Sequence, residues 1–169
     1  MSAMSTTADW DALDAERQRY EAKRMAVYAG MIEAMDAHIG RLVTYLKSKK
    51  QFENTIFVFT SDNGAEGSGA PDASAFGVRR AAASLGYNTD YETLGLKGSF
   101  NTINPGFTSA AVSPLSYYKF YAGEGGLRVP LIISGEPLGE TVPLTRTFSW
   151  ATDIPATILS MANVSQPQQ

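Results

Sequence analysis

The sequence predicts an α/β fold, because a long helical segment, two short apolar runs and a final short helix follow one another along 169 residues. The apolar runs, residues 55–59 and 131–133, have the length and the β-branched and aromatic content of buried strands. A long stretch without a sustained hydrophobic period separates the two runs. A chain of this length is sufficient for one domain with one core.

The first predicted element is a helix over about residues 10–50. Apolar side chains recur in it at three- and four-residue steps, the spacing of an amphipathic helix. Lysines near residue 50 suit the carboxyl end of a helix. The apolar stripe consists of Tyr28, Met31, Met35, Ile39, Leu42 and Leu46, widened by Ile32 and Val43.

The remaining elements follow in order. A strand is predicted at about residues 55–60, and an insertion rich in Gly, Ser, Ala and Asn follows over about 64–114. Loops of this length are usually functional or disordered; residues 75–85 have the composition of a short helix. A strand and a helix are predicted over about 129–162, with a further strand near residues 145–149. Thr152 or Asp153 is a suitable cap for the last helix.

Composition excludes several classes of protein. The formal net charge of −3 leaves no basic footprint for nucleic acid, and no apolar run is long enough to cross a membrane. No secretory signal is visible after Met1, so a cytoplasmic location is expected if Met1 is the true start. The absence of cysteine excludes disulfides, thiolate metal sites and a cysteine nucleophile within these residues.

A polar motif directly follows the first predicted strand. It places Asp62 and Asn63 at the carboxyl end of that strand, just before Gly64. Ligands bind at this edge of open α/β sheets, and two oxygen-bearing side chains suit a hard cation such as calcium or magnesium. Asn-Gly is also a common turn dipeptide, so this stretch alone leaves a turn and a metal site as alternatives.

Four segments in order resemble one known family. They are MDAHIGRL at 35–42, NTIFVFTSDNG at 54–64, EGGLRVP at 124–130 after Lys119, and TDIPATIL at 152–159. The series resembles the carboxyl-terminal part of the catalytic domain of sulfatases, bacterial arylsulfatases most closely, over about residues 10–164. The resemblance implies a single partial domain over 1–169, with part of an alkaline-phosphatase-like sheet, flanking helices and the long insertion.

The resemblance also implies roles for individual residues. Asp62 and Asn63 match the family's second pair of calcium ligands. Lys119 matches the lysine that contacts the substrate sulfate. Residues 125–130 match a structural turn leading into the next strand, and residues 104–113 lie where related arylsulfatases build part of the wall of the substrate cleft.

The departures from the family are equally specific. The family's Cys- or Ser-x-Pro-x-Arg motif, whose first residue becomes the formylglycine nucleophile, is absent, and so are the first aspartate pair and the family's histidines. His38 is the one histidine in the sequence, and it lies outside the motifs that carry the family's histidines. Calcium prefers six to eight oxygen ligands, so we expect Asp62 and Asn63 to form only a weak half-site. We therefore expect the chain to be inactive alone.

Simpler roles are open for the residues near these motifs. Glu66 and Glu124 are interpreted as solvated or turn-stabilising carboxylates, and Arg128 as a structural ion-pair donor. The stem of Lys119 has the alternative role of covering aromatic surface. The aromatic side chains within residues 117–121 are interpreted as packing residues rather than a base-stacking platform.

Three functions compete. The first is an arylsulfatase-like fragment, whose substrate in the complete enzyme is a sulfate ester; the alternative is a non-catalytic binding or assembly module. A phosphate-ester hydrolase is disfavoured, because the related phosphatases build two-metal sites with histidines. The strand near Thr55 would expose sheet edges, so we expect a homo-oligomer or association with a missing amino-terminal half.

Overall fold

A computed structural model describes residues 7, 9–67, 80–139 and 144–164. Its regular elements combine one long helix, a two-stranded sheet and three shorter helices, and residues 80–84 are also helical. This mixture is consistent with the α/β class expected from the sequence. In chain order the named elements are α1 (Ala15–Ser48), β1 (Phe57–Thr60), α2 (Pro105–Ala111), α3 (Glu124–Leu127), β2 (Leu131–Ser134) and α4 (Asp153–Met161).

Helix α1 begins and ends with ordinary terminal signals. The Asp14 carboxylate accepts a hydrogen bond from the backbone N–H of Arg17 at 2.7 Å, which satisfies one of the donors left unpaired at a helix start. Glu16 lies in the first turn and Lys47 in the last, each with the sign of charge that complements the helix dipole. The helix therefore depends on local sequence for both of its ends.

The sheet is antiparallel. Phe57 pairs with Ser134 and Thr60 with Leu131, so the carboxyl end of β1 meets the amino end of β2. This register places the residues that follow β1 beside the residues that precede β2. The sequence motif after Thr60 and the Gly-Gly motif before Leu131 are thereby brought to the same end of the sheet.

Two expectations for the end of the chain were wrong. Residues 145–149 form no strand; Thr145 and Thr147 instead make a local hydrogen bond between their hydroxyls at 2.8 Å. Neither Thr152 nor Asp153 caps α4 in the expected manner, because the Asp153 carboxylate accepts from the N–H of Trp150, outside the helix, at 2.8 Å. Short-range polar contacts thus determine the conformation of this segment.

The best-buried region lies where the first half of α1 meets the insertion. Glu21 and Arg24 are 1% and 6% exposed, and their side chains form an ion pair at 2.9 Å. The guanidinium of Arg24 also donates to the Thr102 hydroxyl at 2.6 Å, and the Asn101 amide donates to the Arg24 carbonyl at 3.0 Å. Apolar members of the core are Ala82, Leu94, Ile103 and Tyr118.

The second half of α1 and the sheet are exposed. An apolar stripe on a helix ordinarily faces a core, but Met31 and Leu42 are 58% and 49% exposed. Ile132, in the middle of β2, is 56% exposed. On the opposite face of the sheet, Val58, Leu131 and Ile133 line a cavity together with Ile154 and Ile158 of α4. None of the helices in those ranges combines the length and the apolarity needed to cross a membrane.

Candidate functional site

The candidate site begins at the end of β1. Asp62 is exposed and Asn63 is half-buried in a bend that directly follows the strand. The Ser61 hydroxyl donates to the Asn63 carbonyl at 2.8 Å, and the Asn63 side-chain amide donates to the Gly64 carbonyl at 3.2 Å. These local bonds define the bend, in which Asp62 remains exposed.

Gly64 joins this bend to the Gly-Gly motif. Its N–H donates to the Gly126 carbonyl at 3.0 Å. A Cβ atom at position 64 would lie 1.8 Å from the carbonyl oxygen of Gly125, a distance that no side chain tolerates. The contact therefore requires glycine at position 64, and it fixes the motif after β1 against α3.

Lys119 reaches the same bend from a different part of the chain. Its backbone N–H donates to the Ala65 carbonyl at 3.0 Å, and its ammonium lies 2.7 Å from the Glu66 carboxylate. The hydrogen bond and the charge of Glu66, with a smaller contribution from the charge of Asp62, raise the pKa of Lys119 above its usual value. The lysine is thus held as a cation in the electrostatic field of both carboxylates.

Helix α2 supports the floor of the site. Its Asn104 side chain caps the first turn by accepting from the Phe107 N–H at 2.8 Å. Four residues along, the fully buried Thr108 donates to the Asn104 carbonyl at 2.8 Å and contacts the Glu66 carbonyl at 3.2 Å. The stretch expected to form a cleft wall therefore holds the backbone of Glu66.

Aromatic residues surround Lys119. Tyr118 is 4% exposed and packs edge-to-face on Tyr121 with ring centroids 5.2 Å apart. The Lys119 ammonium lies 5.2 Å from the centre of the Phe120 ring, within the range of a cation–π contact. Tyr117 and Phe120 both have positive φ, 67° and 77°, which is unusual for aromatic residues. Such backbone strain persists only where surrounding contacts enforce it.

Two other polar residues lie outside this cluster. Arg128 pairs with Glu124 at 3.1 Å on the surface, with both side chains 62% exposed, which confirms its interpretation as an ion-pair donor. His38 is exposed in the middle of α1, where its ring nitrogen lies 3.1 Å from the Arg41 guanidinium. Neither residue has a contact that connects it to Lys119.

The donors at the site fit part of a calcium shell. A carboxylate and an amide oxygen are the ligand types that calcium prefers. Among the described residues, however, no three Asp, Glu, His or Cys side chains cluster as a metal site would require. Asp62 and Asn63 fit the ion by chemistry but supply only part of its coordination.

Sequence reasoning missed two contributors to this arrangement. Glu66 was interpreted as a solvated or turn-stabilising carboxylate, but it is the direct partner of Lys119. Thr108 was not singled out, and its contact with Glu66 joins segments that are distant in sequence. The capped start of α2 at Asn104 was a usable signal, because it places residue 108 one helical turn into a helix.

Comparisons with known proteins agree with the sequence resemblance. A family model described as Sulfatase matches residues 4–164. An uncharacterized sulfatase of Schizosaccharomyces pombe is 38% identical over 162 residues, covering 95% of this chain and 29% of that protein. An arylsulfatase of Klebsiella aerogenes is 31% identical over 157 residues, covering 92% of this chain and 33% of that protein. The chain thus spans about a third of the length of these curated relatives.

Proposed function

The chain belongs to the sulfatase family, and on that premise we propose that it supplies one side of an active site for hydrolysis of sulfuric esters, aryl sulfates in particular. The observation that carries the proposal is the Lys119 ammonium, which lies beside the bend that contains Asp62 and Asn63. Binding of an anionic ester requires positive charge. Lys119 provides a fixed cation, and Asp62 and Asn63 provide part of a site for a hard cation such as calcium.

The residues have distinct roles in this proposal. Lys119 donates hydrogen bonds to the sulfate oxygens and offsets their charge, a role that a point-charge ammonium performs without a bidentate geometry. Asp62 and Asn63 provide oxygen ligands to calcium. When bound, calcium supplies positive charge that holds the sulfate group and stabilises an attacking oxyanion.

The nucleophile is not among these residues. The chain contains no cysteine, and the family's nucleophile motif is absent from its sequence. We therefore propose that these residues alone do not hydrolyse aryl sulfates. The test is the release of a chromogenic phenol from an aryl sulfate by purified, calcium-loaded chain, compared with Lys119→Met. Turnover that is above background and is lost in Lys119→Met would refute the proposal.

Calcium affinity tests the metal assignment separately. With two side-chain ligands, we expect a dissociation constant weaker than about a millimolar, since even sparse extracellular calcium sites reach that range. Calorimetric titration of the chain and of Asp62→Asn measures it, with Asp90→Asn as the matched control. Weak binding that Asp62→Asn abolishes supports the half-site; equal binding by all three proteins argues against it.

The alternative function is a non-catalytic binding or assembly module, and the exposed apolar surface favours it. Phe59 of β1 and Ile132 of β2 are paired in register, and they are 41% and 56% exposed. Each strand has one hydrogen-bonded neighbour among the described residues, which leaves an outer edge available for pairing. We propose that the chain self-associates through this sheet, or binds the part of a sulfatase domain that it does not match.

Sedimentation distinguishes these arrangements. A dimer or higher oligomer is expected at tens of micromolar, and Ile132→Lys, on an exposed position of β2, should shift the chain toward monomer. Leu85→Lys, at an exposed apolar position far from the sheet in sequence, makes the same change of charge and is the control. A monomer at high concentration would contradict self-association.

A further inference from the structure

We propose that Glu66 makes the Lys119 site selective for monoanionic sulfate esters over dianionic phosphate esters. The inference rests on the proposed function, in which Lys119 receives the anionic group of the ester. It concerns a residue that sequence reasoning assigned no role in binding, and it follows from the placement of three charges.

Glu66 and Lys119 form a close, partly exposed ion pair. The Glu66 carboxylate lies 2.7 Å from the Lys119 ammonium, and the two side chains are 32% and 34% exposed. Glu66 is held in place from two directions, since Thr108 contacts its carbonyl at 3.2 Å and the neighbouring Ala65 carbonyl accepts from the Lys119 N–H at 3.0 Å. An ester bound to this ammonium cannot avoid the negative charge of Glu66.

Two carboxylates act on the single ammonium of Lys119. In the calcium-free chain Lys119 contributes one positive charge, whereas Glu66 and Asp62 each contribute one negative charge, so the three together are net negative. An ammonium has three N–H donors. Glu66 accepts from one of them, and among the described residues no other side chain accepts from this ammonium, which leaves two donors for ligand oxygens. The site therefore offers hydrogen bonds to an anion while its net charge opposes each negative charge that the anion brings.

Sulfate and phosphate monoesters differ in charge more than in shape. Sulfate and phosphate monoesters present similar tetrahedral oxygens, so hydrogen bonding alone separates them poorly. A sulfate monoester carries one negative charge. A phosphate monoester carries about two above pH 7, because its second pKa is about 6. The Glu66 carboxylate repels the second negative charge of the phosphate ester. Solvent screens this repulsion, because the pair is partly exposed, so the effect is moderate.

Replacement of Glu66 by glutamine isolates this effect. The amide has nearly the size of the carboxylate and keeps a hydrogen-bond acceptor for Lys119, but it removes one negative charge. If the substitution also disturbed the position of Lys119, the affinities for both esters would fall by a similar factor. The ratio of the two affinities therefore reports on charge selection and not on structural support.

The experiment titrates phenyl sulfate and phenyl phosphate into the calcium-free chain at pH 8 while following the ¹³Cε resonance of Lys119. Phenyl methyl phosphate, a monoanionic phosphorus ester, separates charge from the identity of the central atom. Wild-type chain should prefer phenyl sulfate and phenyl methyl phosphate over phenyl phosphate. Glu66→Gln should reduce that preference about three- to tenfold, the size expected for one partly screened charge.

Two further variants complete the test. Glu66→Asp keeps the charge and should retain most of the preference. Glu124→Gln removes a carboxylate from the exposed pair with Arg128 and should leave the preference unchanged. Far-ultraviolet circular dichroism of each variant establishes that it folds.

The outcomes separate this inference from the proposed function. If both classes of ester shift the Lys119 resonance and Glu66→Gln leaves their ratio unchanged, the inference is overturned while the role of Lys119 stands. If no ester shifts the resonance, the role of Lys119 fails, and the inference fails with it.

Discussion

The Lys119 ammonium and the Glu66 carboxylate lie 2.7 Å apart although they belong to segments that are distant along the chain. The pair is positioned by backbone contacts on both sides, through the Ala65 carbonyl and the buried Thr108 hydroxyl. Three contacts at one end of a two-stranded sheet thus unite residues whose sequence motifs are separate. Each contact can be tested by a single substitution.

Glu66→Gln should lower the pKa of Lys119. Glu66 raises that pKa by a hydrogen bond and by its charge, so the neutral amide removes the larger part of the increase. A ¹³Cε titration of Lys119 measures the change, with Glu124→Gln as the control. An unchanged midpoint in Glu66→Gln would show that the pair does not persist in solution.

The same pair has a consequence for stability at high pH. Because the pKa of Lys119 is raised on folding, its contribution is fully present below the unfolded value of about 10.4 and is lost as pH rises through the folded value. The stability advantage of wild type over Glu66→Gln should therefore shrink above about pH 10. Urea denaturation at pH 8 and at increasing alkaline pH measures it. An advantage that is constant across this range would contradict the assignment.

Gly64→Ala should destabilise the chain strongly. A Cβ at this position would lie 1.8 Å from the Gly125 carbonyl oxygen, so the backbone must move. We expect a loss of about 3 kcal/mol or more in the free energy of unfolding, at the upper end of overpacking effects. Urea denaturation measures it. Gly30→Ala is the matched control: position 30 is in α1 with open space around it, and alanine there should stabilise by about 1 kcal/mol.

Glu21→Gln should weaken the attachment of α1 to the insertion. Glu21 is 1% exposed and pairs with both Arg17 and Arg24, at 2.6 Å and 2.9 Å. Burial lowers the pKa of Arg24, but the guanidinium stays charged and would lose its buried partner. We expect a loss of about 3 kcal/mol in the free energy of unfolding. Glu33→Gln, on the exposed part of α1, should cost little by the same measurement. Equal effects of the two variants would contradict the importance of the buried pair.

Thr108→Val should cost about 1–2 kcal/mol in the free energy of unfolding, because it removes a buried hydroxyl that contacts two carbonyls while keeping the side-chain shape. Chemical denaturation measures the cost. Thr108→Ser keeps the hydroxyl and should retain the Lys119 resonance of wild type. If Val at this position left both stability and that resonance unchanged, Thr108 would not support Glu66.

The sequence predicted the local features of this site well. The apolar run before Thr60 identified β1, and the Asp-Asn-Gly motif identified the bend that follows it. The run after Pro130 identified β2, whereas the polar stretch at 145–149 was wrongly assigned to a strand. Strand length and composition are sufficient where an apolar run is continuous, and they fail where threonine content alone favours a strand.

Pairings across the chain could not be predicted in the same way. Glu66, Glu124 and Asp62 all lie near the sequence motifs that follow β1 or precede β2. Sequence spacing alone therefore could not show which of the three pairs with Lys119. The buried Glu21–Arg24 pair was equally hidden, since charged residues at helical spacing are usually exposed. Its burial depends on Asn101 and Thr102 approaching from the insertion.

By itself the sequence determined the family, the two paired strands β1 and β2, and the residue types available for binding an anion and a hard cation, because these depend on local order and composition. Only the tertiary structure decided that Lys119 pairs with Glu66, and that Gly64 is fixed against the Gly-Gly motif. The physical reason is that close contacts between distant segments depend on the register of β1 with β2, which brings both motifs to one end of the sheet.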